Sequence, residues 1–310
     1  MQILQNTNID FIGKRNIALV FSLTLIAIGI ASILIQNGLT YGIDFAGGTL
    51  IQIQFGKTVT TDDVRKAITD QRLGTFTIQQ IGDAEKNEFI IRLPKPVEKE
   101  VEQTPAVIIA QDLEEAFGKE NFDIRRAESV GPTMGAELKR SAVGSIIGAL
   151  VMILLYITFR FELRFAIGAI IALVHDVLIT IGAFSVGGRE FNLPVVAALL
   201  TIVGYSLNDT IVVFDRIREN QRLLHREKFT NVINISINQT LSRTLLTSLT
   251  TFIVVVCLFI FGGEVINDFA FALLVGIIVG TYSSIFIASP VLVWWSRLMS
   301  VFQTGSKKGA

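Results

Sequence analysis

Six stretches of the chain are apolar for long enough to cross a bilayer: Asn16–Gln36, Ser141–Phe159, Leu163–Val186, Leu193–Phe214, Leu241–Phe261 and Phe269–Trp295. A hydrocarbon core of about 30 Å is spanned by about 20 such residues at 1.5 Å each. Between the first and second stretch the pattern changes to short segments. Thr49–Phe55 alternates and predicts a strand, and Thr60–Leu73 opens with Thr/Asp capping chemistry and predicts a helix. Thr75–Ile81 and Glu88–Leu93 predict two strands around a Gly82-Asp83 turn. Thr104 followed by Pro105 forms a cap and first-turn pair for a helix through Phe117, and Phe122–Val130 predicts a last strand. The order βαββαβ is that of the ferredoxin-like split unit, a small α+β sandwich.

The expected architecture is a polytopic α-helical membrane protein, with six transmembrane helices and a ferredoxin-like α+β external domain between helices 1 and 2. Residues 1–40 form the N-terminus and first span, 41–138 the external domain, 139–300 the other five spans with a cytoplasmic connector over 215–240, and 301–310 a cytoplasmic tail. The connector is expected to continue to Asn238 as an interfacial helix.

Composition supports this division. Lys and Arg number 27 against 27 Asp and Glu, so no net basic field recommends a nucleic-acid partner. Charged residues are 17% of the chain and hydrophobic ones 51%, with a mean hydropathy of +0.56, too apolar for a surface wholly in water. Of the 54 charged residues, 30 lie between Asp44 and Arg140, within the predicted insert and its borders.

Basic residues orient the spans. Short loops and ends put Lys14, Arg15, Arg160, Arg164, Arg216, Arg218, Arg222, Arg226, Lys228, Arg297, Lys307 and Lys308 on one side, and Arg189 on the other. By the positive-inside rule both termini are cytoplasmic and the insert lies outside, in the periplasm of a Gram-negative cell. The first apolar run exceeds an ordinary signal core and no A-x-A pattern follows it, so it reads as a retained anchor.

Chemistry-bearing motifs are sparse. Cys257, the single cysteine, sits in the fifth span, which excludes an intrachain disulfide and a multi-Cys metal site. The insert shows no Ser/His/Asp set, metal cluster or phosphate loop, and Gly47-Gly48 reads as a tight turn rather than a phosphate cradle. No catalytic residue, metal or cofactor is expected.

Ionisable groups inside spans need an explanation, since each costs about 2.5–3.5 kcal/mol to insert. His175 and Asp176 lie roughly 18 Å along the third span at 1.5 Å per residue. Asp209 sits in the cytoplasmic half of the fourth span, and Arg243 enters the fifth from the same side. Asp209 and Arg243 can share a depth, and a carboxylate whose titration responds to a movable Arg makes a workable proton gate. Alternatively Arg243 snorkels to the headgroups, and Asp209 makes a static interhelical hydrogen bond, for instance with Asn208. Asp176 is the secondary candidate with His175 behind it, because neighbours on a helix point about 100° apart and cannot both face one path squarely. Asp215 and Arg216 read as solvated connector residues. Gly144/Gly148 and Gly276/Gly280 have G-x-x-x-G spacing, the pattern of close helix packing within the chain or toward a partner.

Several separated motifs then fall in a recognisable order: Tyr41-Gly42-Ile43-Asp44-Phe45-Ala46-Gly47-Gly48-Thr49, Val130-Gly131-Pro132, Gly204-Tyr205-Ser206-Leu207-Asn208-Asp209-Thr210 and Val213-Phe214-Asp215-Arg216-Ile217-Arg218-Glu219-Asn220. Over nearly its whole length the chain resembles the SecD/SecF family of protein-export membrane proteins, and its Tyr-Ser-Leu-Asn-Asp-Thr variant resembles the SecF branch. The resemblance implies a half-unit of the resistance-nodulation-division superfamily, paired with a SecD-like six-span protein. It implies an accessory of the SecYEG translocon that uses the proton motive force, or a sodium gradient, to draw a preprotein across, with YajC as a further partner. It carries the family's acidic helix-4 residue onto Asp209 and its helix-5 arginine onto Arg243. Asn208 and Asp176 complete the expected ion-coupling set, and Asp44, Gly47, Gly48, Gly131, Pro132, Asp215 and Arg216 the family signature. Two other functions stay open on the residues alone: half of an ion-coupled small-solute exporter, or an intramembrane aspartyl protease using Asp176 and Asp209, which lacks a Gly-x-Gly-Asp pattern.

Overall fold

The computed structural model describes residues 7–68, 73, 75–81, 87–93 and 104–306. The predicted Gly82-Asp83 turn, the end of the Thr60–Leu73 helix over 69–72, and Lys307 and Lys308 of the tail lie outside the described residues. The chain divides into two compact units, Tyr41–Val143 and the remainder, Met1–Thr40 with Gly144–Ala310.

Helix α1 (Arg15–Ile35) belongs to the larger unit. The smaller unit contains α2 (Ile43–Ala46), β1 (Gly48–Phe55), α3 (Thr61–Ala67), β2 (Thr77–Ile81), β3 (Glu88–Leu93), α4 (Pro105–Phe117) and β4 (Phe122–Val130). The sheet runs β2-β3-β1-β4, antiparallel throughout, which is the strand order of the ferredoxin-like split unit. Period-2 patterning turns Ile51, Ile53, Phe89, Ile91 and Leu93 into one core with Val64 and Ile68 around α3 and Ile108, Ile109 and Leu113 of α4. Polar partners elsewhere on the sheet pair across strands, as in Gln52 Nε2 donating to Glu88 at 2.8 Å and the Thr49–Ser129 hydroxyl pair at 3.0 Å. The capping chemistry at Thr60 forms a reciprocal box: its hydroxyl accepts the Asp63 N–H at 3.2 Å while the Asp63 carboxylate accepts the Thr60 N–H at 3.0 Å. Thr104 stands at the cap position of α4 with Pro105 next, yet its hydroxyl makes no cap bond, so proline's fixed φ sets that start alone. Gly47 and Gly48 adopt φ of +73° and +123°, a turn for which glycine is the residue without steric cost.

Helix α5 (Pro132–Arg160) starts in the smaller unit and belongs to the larger one from Gly144 on; the larger unit continues with α6 (Leu163–Val186), α7 (Leu193–Leu223), α8 (Phe229–Phe261), α9 (Glu264–Ser283), a π-helical turn at Ser284–Ala288 and α10 (Ser289–Ser306). Among the described residues six helices are long and apolar enough to span a membrane, the last running continuously over Val265–Ser296 through the π turn. The third span, α6, is the most buried and α5 the least. Exposed Ile17, Val20, Met152, Leu155, Phe159, Val254 and Phe261 give the outer helices a surface suited to lipid.

Spans 1 and 3 are parallel and in register. Ser22 meets His175, Gly29 meets Gly182 and Ser32 meets Ser185, each pair 153 residues apart in sequence. The steps of seven and three residues keep one face of each helix on the seam.

One expectation changes. No separate interfacial helix forms over the connector, because α7 runs on to Leu223, α8 starts at Phe229, and both ends are extensions of spans. Buried Ile217 joins Ile233 and Ile237 in one core cluster, and buried Asn220 donates to Ser236 at 2.9 Å and to Gln239 at 2.8 Å, so the apolar stripe pairs helix with helix. Gly276 and Gly280 serve packing inside the chain: a Cβ at Gly276 would meet Ile202 at 2.3 Å, and one at Gly280 would meet Ser206 at 3.0 Å. Gly144 and Gly148 have open space at the same test.

Candidate functional site

Two buried carboxylates mark the membrane unit, each set in its own cluster of small hydroxyls. Asp176 on α6 is 0% exposed. Its Oδ2 accepts hydrogen bonds from Ser206 of α7 at 2.6 Å and Ser283 of α9 at 2.8 Å, and its Oδ1 lies 2.9 Å from His175 Nδ1. The expectation that neighbouring His175 and Asp176 would face apart is met by a compromise of side-chain reach: the imidazole folds back onto the carboxylate. His175 Nε2 lies 3.0 Å from Ser22 of α1, and the Ser22 hydroxyl donates to Tyr282 at 3.1 Å. Four spans therefore converge on Asp176.

Asp209 on α7 is 3% exposed and accepts one side-chain hydrogen bond, from Ser248 of α8 at 3.2 Å. Thr281 of α9 in turn donates to Ser248 at 2.7 Å. Asn208 is exposed and is not the partner of Asp209. Arg243 is also exposed, within electrostatic reach of Asp209, and among the described residues it forms no salt bridge. Beside these two residues in sequence, the buried hydroxyls of Thr210 and Thr244 make no hydrogen bond among the described residues, nor does that of Tyr205 one turn before Asp209. Buried hydroxyls are nearly always satisfied, so each of these calls for an explanation.

The remaining signature residues lie elsewhere. Asp44 is in α2, Gly47 and Gly48 form the turn into β1, and Gly131 and Pro132 open α5. One turn into α5, a Cβ on Gly135 would meet the Phe45 carbonyl oxygen at 3.1 Å and the Gly47 nitrogen at 3.3 Å, so the glycine turn rests against this helix. Asp215 is exposed, and Arg216 pairs with Glu219 at 2.9 Å on the same helix, as a solvated connector would have it. Arg189, in the loop between α6 and α7, pairs with Asp268 at 2.8 Å, donates to Asn267 at 2.8 Å, and stacks over Phe271 at 4.3 Å.

Sequence reasoning missed Ser22, Ser206, Ser248, Thr281, Tyr282 and Ser283. Serine and threonine in a span are ordinary interhelical glue, and hydropathy gives them no mark. The signal available was their position: Ser206 precedes Asp209 by one turn, on nearly the same helix face.

Comparison with known proteins bears on the whole chain. The family model "Protein export membrane protein SecD/SecF, C-terminal" matches residues 109–298, and "SecD/SecF GG Motif" matches residues 32–59. The chain is 49% identical to the protein translocase subunit SecF of Calditerrivibrio nitroreducens, covering 93% of this chain and 95% of that one. It is 50% identical to the subunit of the same name from Magnetococcus marinus, covering 94% and 93%. Among solved structures it is similar to SecDF of Thermus thermophilus, described as a translocon-associated membrane protein, with a TM-score of 0.81 and 40% identity. That match covers 94% of this chain and 39% of the other. A SecDF structure in a super-membrane-facing form matches at a TM-score of 0.71 and 38% identity, covering 98% and 41%. The chain thus spans about two fifths of these SecDF chains and nearly all of its SecF relatives.

Proposed function

The chain belongs to the SecD/SecF family of protein-export membrane proteins, and from that premise we propose that it is the SecF-type half of an ion-driven accessory to Sec export. It works with a SecD-type six-span partner beside the SecYEG translocon in the inner membrane, both termini cytoplasmic, and helps draw a preprotein to the outer side. No covalent chemistry is involved. Asp209 binds and releases the coupling ion, and Arg243 responds to its charge.

The observation that carries this reading is the mismatch between the two residues. Asp209 is buried with one hydroxyl donor, while Arg243 is exposed in a span with no carboxylate bonded to it among the described residues. A cation left on the outer surface of a span is costly in lipid, so a partner helix covers it. The unsatisfied hydroxyls of Tyr205, Thr210 and Thr244 supply polar stepping points on α7 and α8. One charge crossing the full membrane potential is worth about 2.3 kcal/mol per 100 mV, enough to bias a conformational change.

The test is export into membrane vesicles after ATP-driven initiation, with proton and sodium gradients collapsed separately. Asp209→Asn keeps the shape and most hydrogen bonding but cannot titrate. The variant should assemble at wild-type level and lose gradient-dependent stimulation, and normal export under a measured gradient would end this reading. Orientation is checked independently in a Cys257→Ser background. Glu88→Cys should react with an impermeant thiol reagent in spheroplasts, and Arg222→Cys only after permeabilisation.

A further inference from the structure

The Asp176 cluster has a feature that the coupling role of Asp209 leaves unused: its hydrogen bonds form an unbranched chain from the buried carboxylate to the half-buried Tyr282. From Asp176 Oδ1 it passes to His175 Nδ1 at 2.9 Å, from His175 Nε2 to Ser22 Oγ at 3.0 Å, from Ser22 to the Tyr282 hydroxyl at 3.1 Å, and from Tyr282 to the Ala18 carbonyl at 2.7 Å. Ala18 is three residues into α1, roughly 5 Å from the Lys14/Arg15 end at 1.5 Å per residue. Asp176 is thirteen residues into α6, roughly 20 Å along by the same rise. Because Ser22 meets His175, the chain advances about four residues of α1, roughly 6 Å, between the level of His175 and Ala18, and it brings Asp176 into connection with the half-buried Tyr282.

Proton bookkeeping shows what such a chain can do. Tyr and Ser each bring one hydroxyl hydrogen, and a neutral imidazole brings one N–H. In one register Tyr282 donates to Ser22, Ser22 donates to Nε2, and Nδ1–H donates to an ionised Asp176. In the other, Tyr282 donates to the Ala18 carbonyl, Ser22 to Tyr282 and Nε2–H to Ser22, which leaves Nδ1 to accept from a protonated Asp176. The heavy-atom distances, 2.7–3.1 Å, serve both registers unchanged.

We propose that Tyr282, Ser22 and His175 form a proton wire that loads and unloads a second proton-binding site at Asp176. Loading starts when water delivers a proton to the Tyr282 oxygen. The Tyr282 hydrogen passes to Ser22, the Ser22 hydrogen to His175 Nε2, and the Nδ1 hydrogen to Asp176. One O–H or N–H bond forms for each that breaks, and the carboxylate ends neutral. No other redox or covalent change occurs.

The surroundings suit the task. Ser22 faces the site from α1, Ser206 from α7, and Tyr282 and Ser283 from α9; among the described residues no Lys or Arg bonds to Asp176. No fixed cation therefore locks it in the ionised form. Ring contacts hold the relay in line: Tyr282 stacks on His175 with centroids 6.1 Å apart and on Phe286 at 5.1 Å. Phe286 belongs to the π-helical turn Ser284–Ala288, which begins directly after Ser283. Such turns are frequent at functional sites because the extra residue re-aims the side chains beside it.

This inference rests on the coupling reading for its purpose, not for its chemistry, and the two are tested apart. Full-length protein in membrane vesicles is taken through an acid jump while the carboxylic-acid C=O infrared band is followed. Within that absorption one component is expected that Asp209→Asn retains and Asp176→Asn removes. Ser22→Ala and Tyr282→Phe should keep the band and slow its appearance at least tenfold, and Ser22→Thr should restore the rate. Should Asp176→Asn fail to fold, the kinetics of the relay variants decide. The proposal is overturned when Asp176→Asn removes no component of the band at any pH, or when the rates in both Ser22→Ala and Tyr282→Phe lie within twofold of wild type. Export by Asp209→Asn reports on the coupling role alone.

Discussion

Replacing Gly182 by alanine tests the seam on which the Asp176 cluster depends. A Cβ at Gly182 would lie 2.9 Å from the Gly29 Cα, backbone that no rotamer change can move aside. Carbon atoms rest at about 3.5–4.0 Å, so α1 and α6 must part by roughly 1 Å. Seven residues earlier the His175–Ser22 bond is 3.0 Å, and three residues later the Ser32–Ser185 bond is 2.9 Å; adding that separation takes both beyond hydrogen-bond range. Overpacking of this kind costs about 1–3 kcal/mol, set against a helix-propensity gain from glycine to alanine of at most ~1 kcal/mol. Gly204 on α7 supplies the control, since a Cβ there meets no atom within 4 Å. The difference between Gly182→Ala and Gly204→Ala cancels propensity and should be about 1–3 kcal/mol, with Gly182→Ala the less stable. Reversible unfolding of the six-span chain in mixed micelles, followed by circular dichroism, measures it. Equal stability of the two variants would refute the contact and the register of the seam.

The two threonines at helix starts should behave differently in thermal unfolding: Thr60→Ala, which breaks a reciprocal capping box, costs about 1 kcal/mol, whereas Thr104→Ala, whose hydroxyl caps nothing, costs much less. Hydrogen bonds from the Thr60 side chain and backbone hold the Asp63 carboxyl below its ordinary value of 3.8. A lowered folded-state value contributes stability that is present above the unfolded value and lost as pH falls through the folded one. Amide-exchange protection of α3 should therefore be flat around neutrality and fall only in acid below about 3.8, and loss beginning at higher pH would contradict the assignment. Arg189→Ala removes the Asp268 pair, the Asn267 bond and the Phe271 stack together, and should lower stability by about 1.5–3 kcal/mol, whereas Arg189→Lys should lose less. Indistinguishable melting of these two variants would mean that the ion pair contributes nothing.

How much of this was legible in the sequence depended on the kind of force involved. The strands Glu88–Leu93 and Phe122–Val130 and the helix Pro105–Phe117 have the limits their patterns predict, because alternation and proline punctuation are local signals. Helices 4 and 5 ran beyond the predicted spans since apolarity marks the lipid boundary, and a helix stops only where its backbone hydrogen bonding or a partner stops it. Leu223 and Phe229 became the ends because Asn220 reaches Ser236 and Gln239 across the turn, a contact between residues 16 and 19 apart. The acidic residues of the spans stood out for their cost, but their partners did not. Ser206, Ser248 and Ser283 are found only once helices are placed side by side, and the π turn after Ser283 has no marker in composition at all.

The placement of those serines has a mechanical consequence. Ser206 and Asp209 are three residues apart on α7, and Thr281 and Ser283 are two apart on α9, so the clusters of Asp176 and Asp209 use the same two helices within about one turn. Gly276 and Gly280 let α9 approach Ile202 and Ser206 closely; Asp176 is held from both α7 and α9, and Asp209 on α7 reaches α9 through Ser248 of α8. Packed interfaces of this kind have discrete arrangements rather than a continuous range. On the proposed reading, a proton gained or lost at either carboxylate would change hydrogen bonds that reach this interface. On that reading the two sites would be linked through helix position, without any need for a proton to pass directly between them.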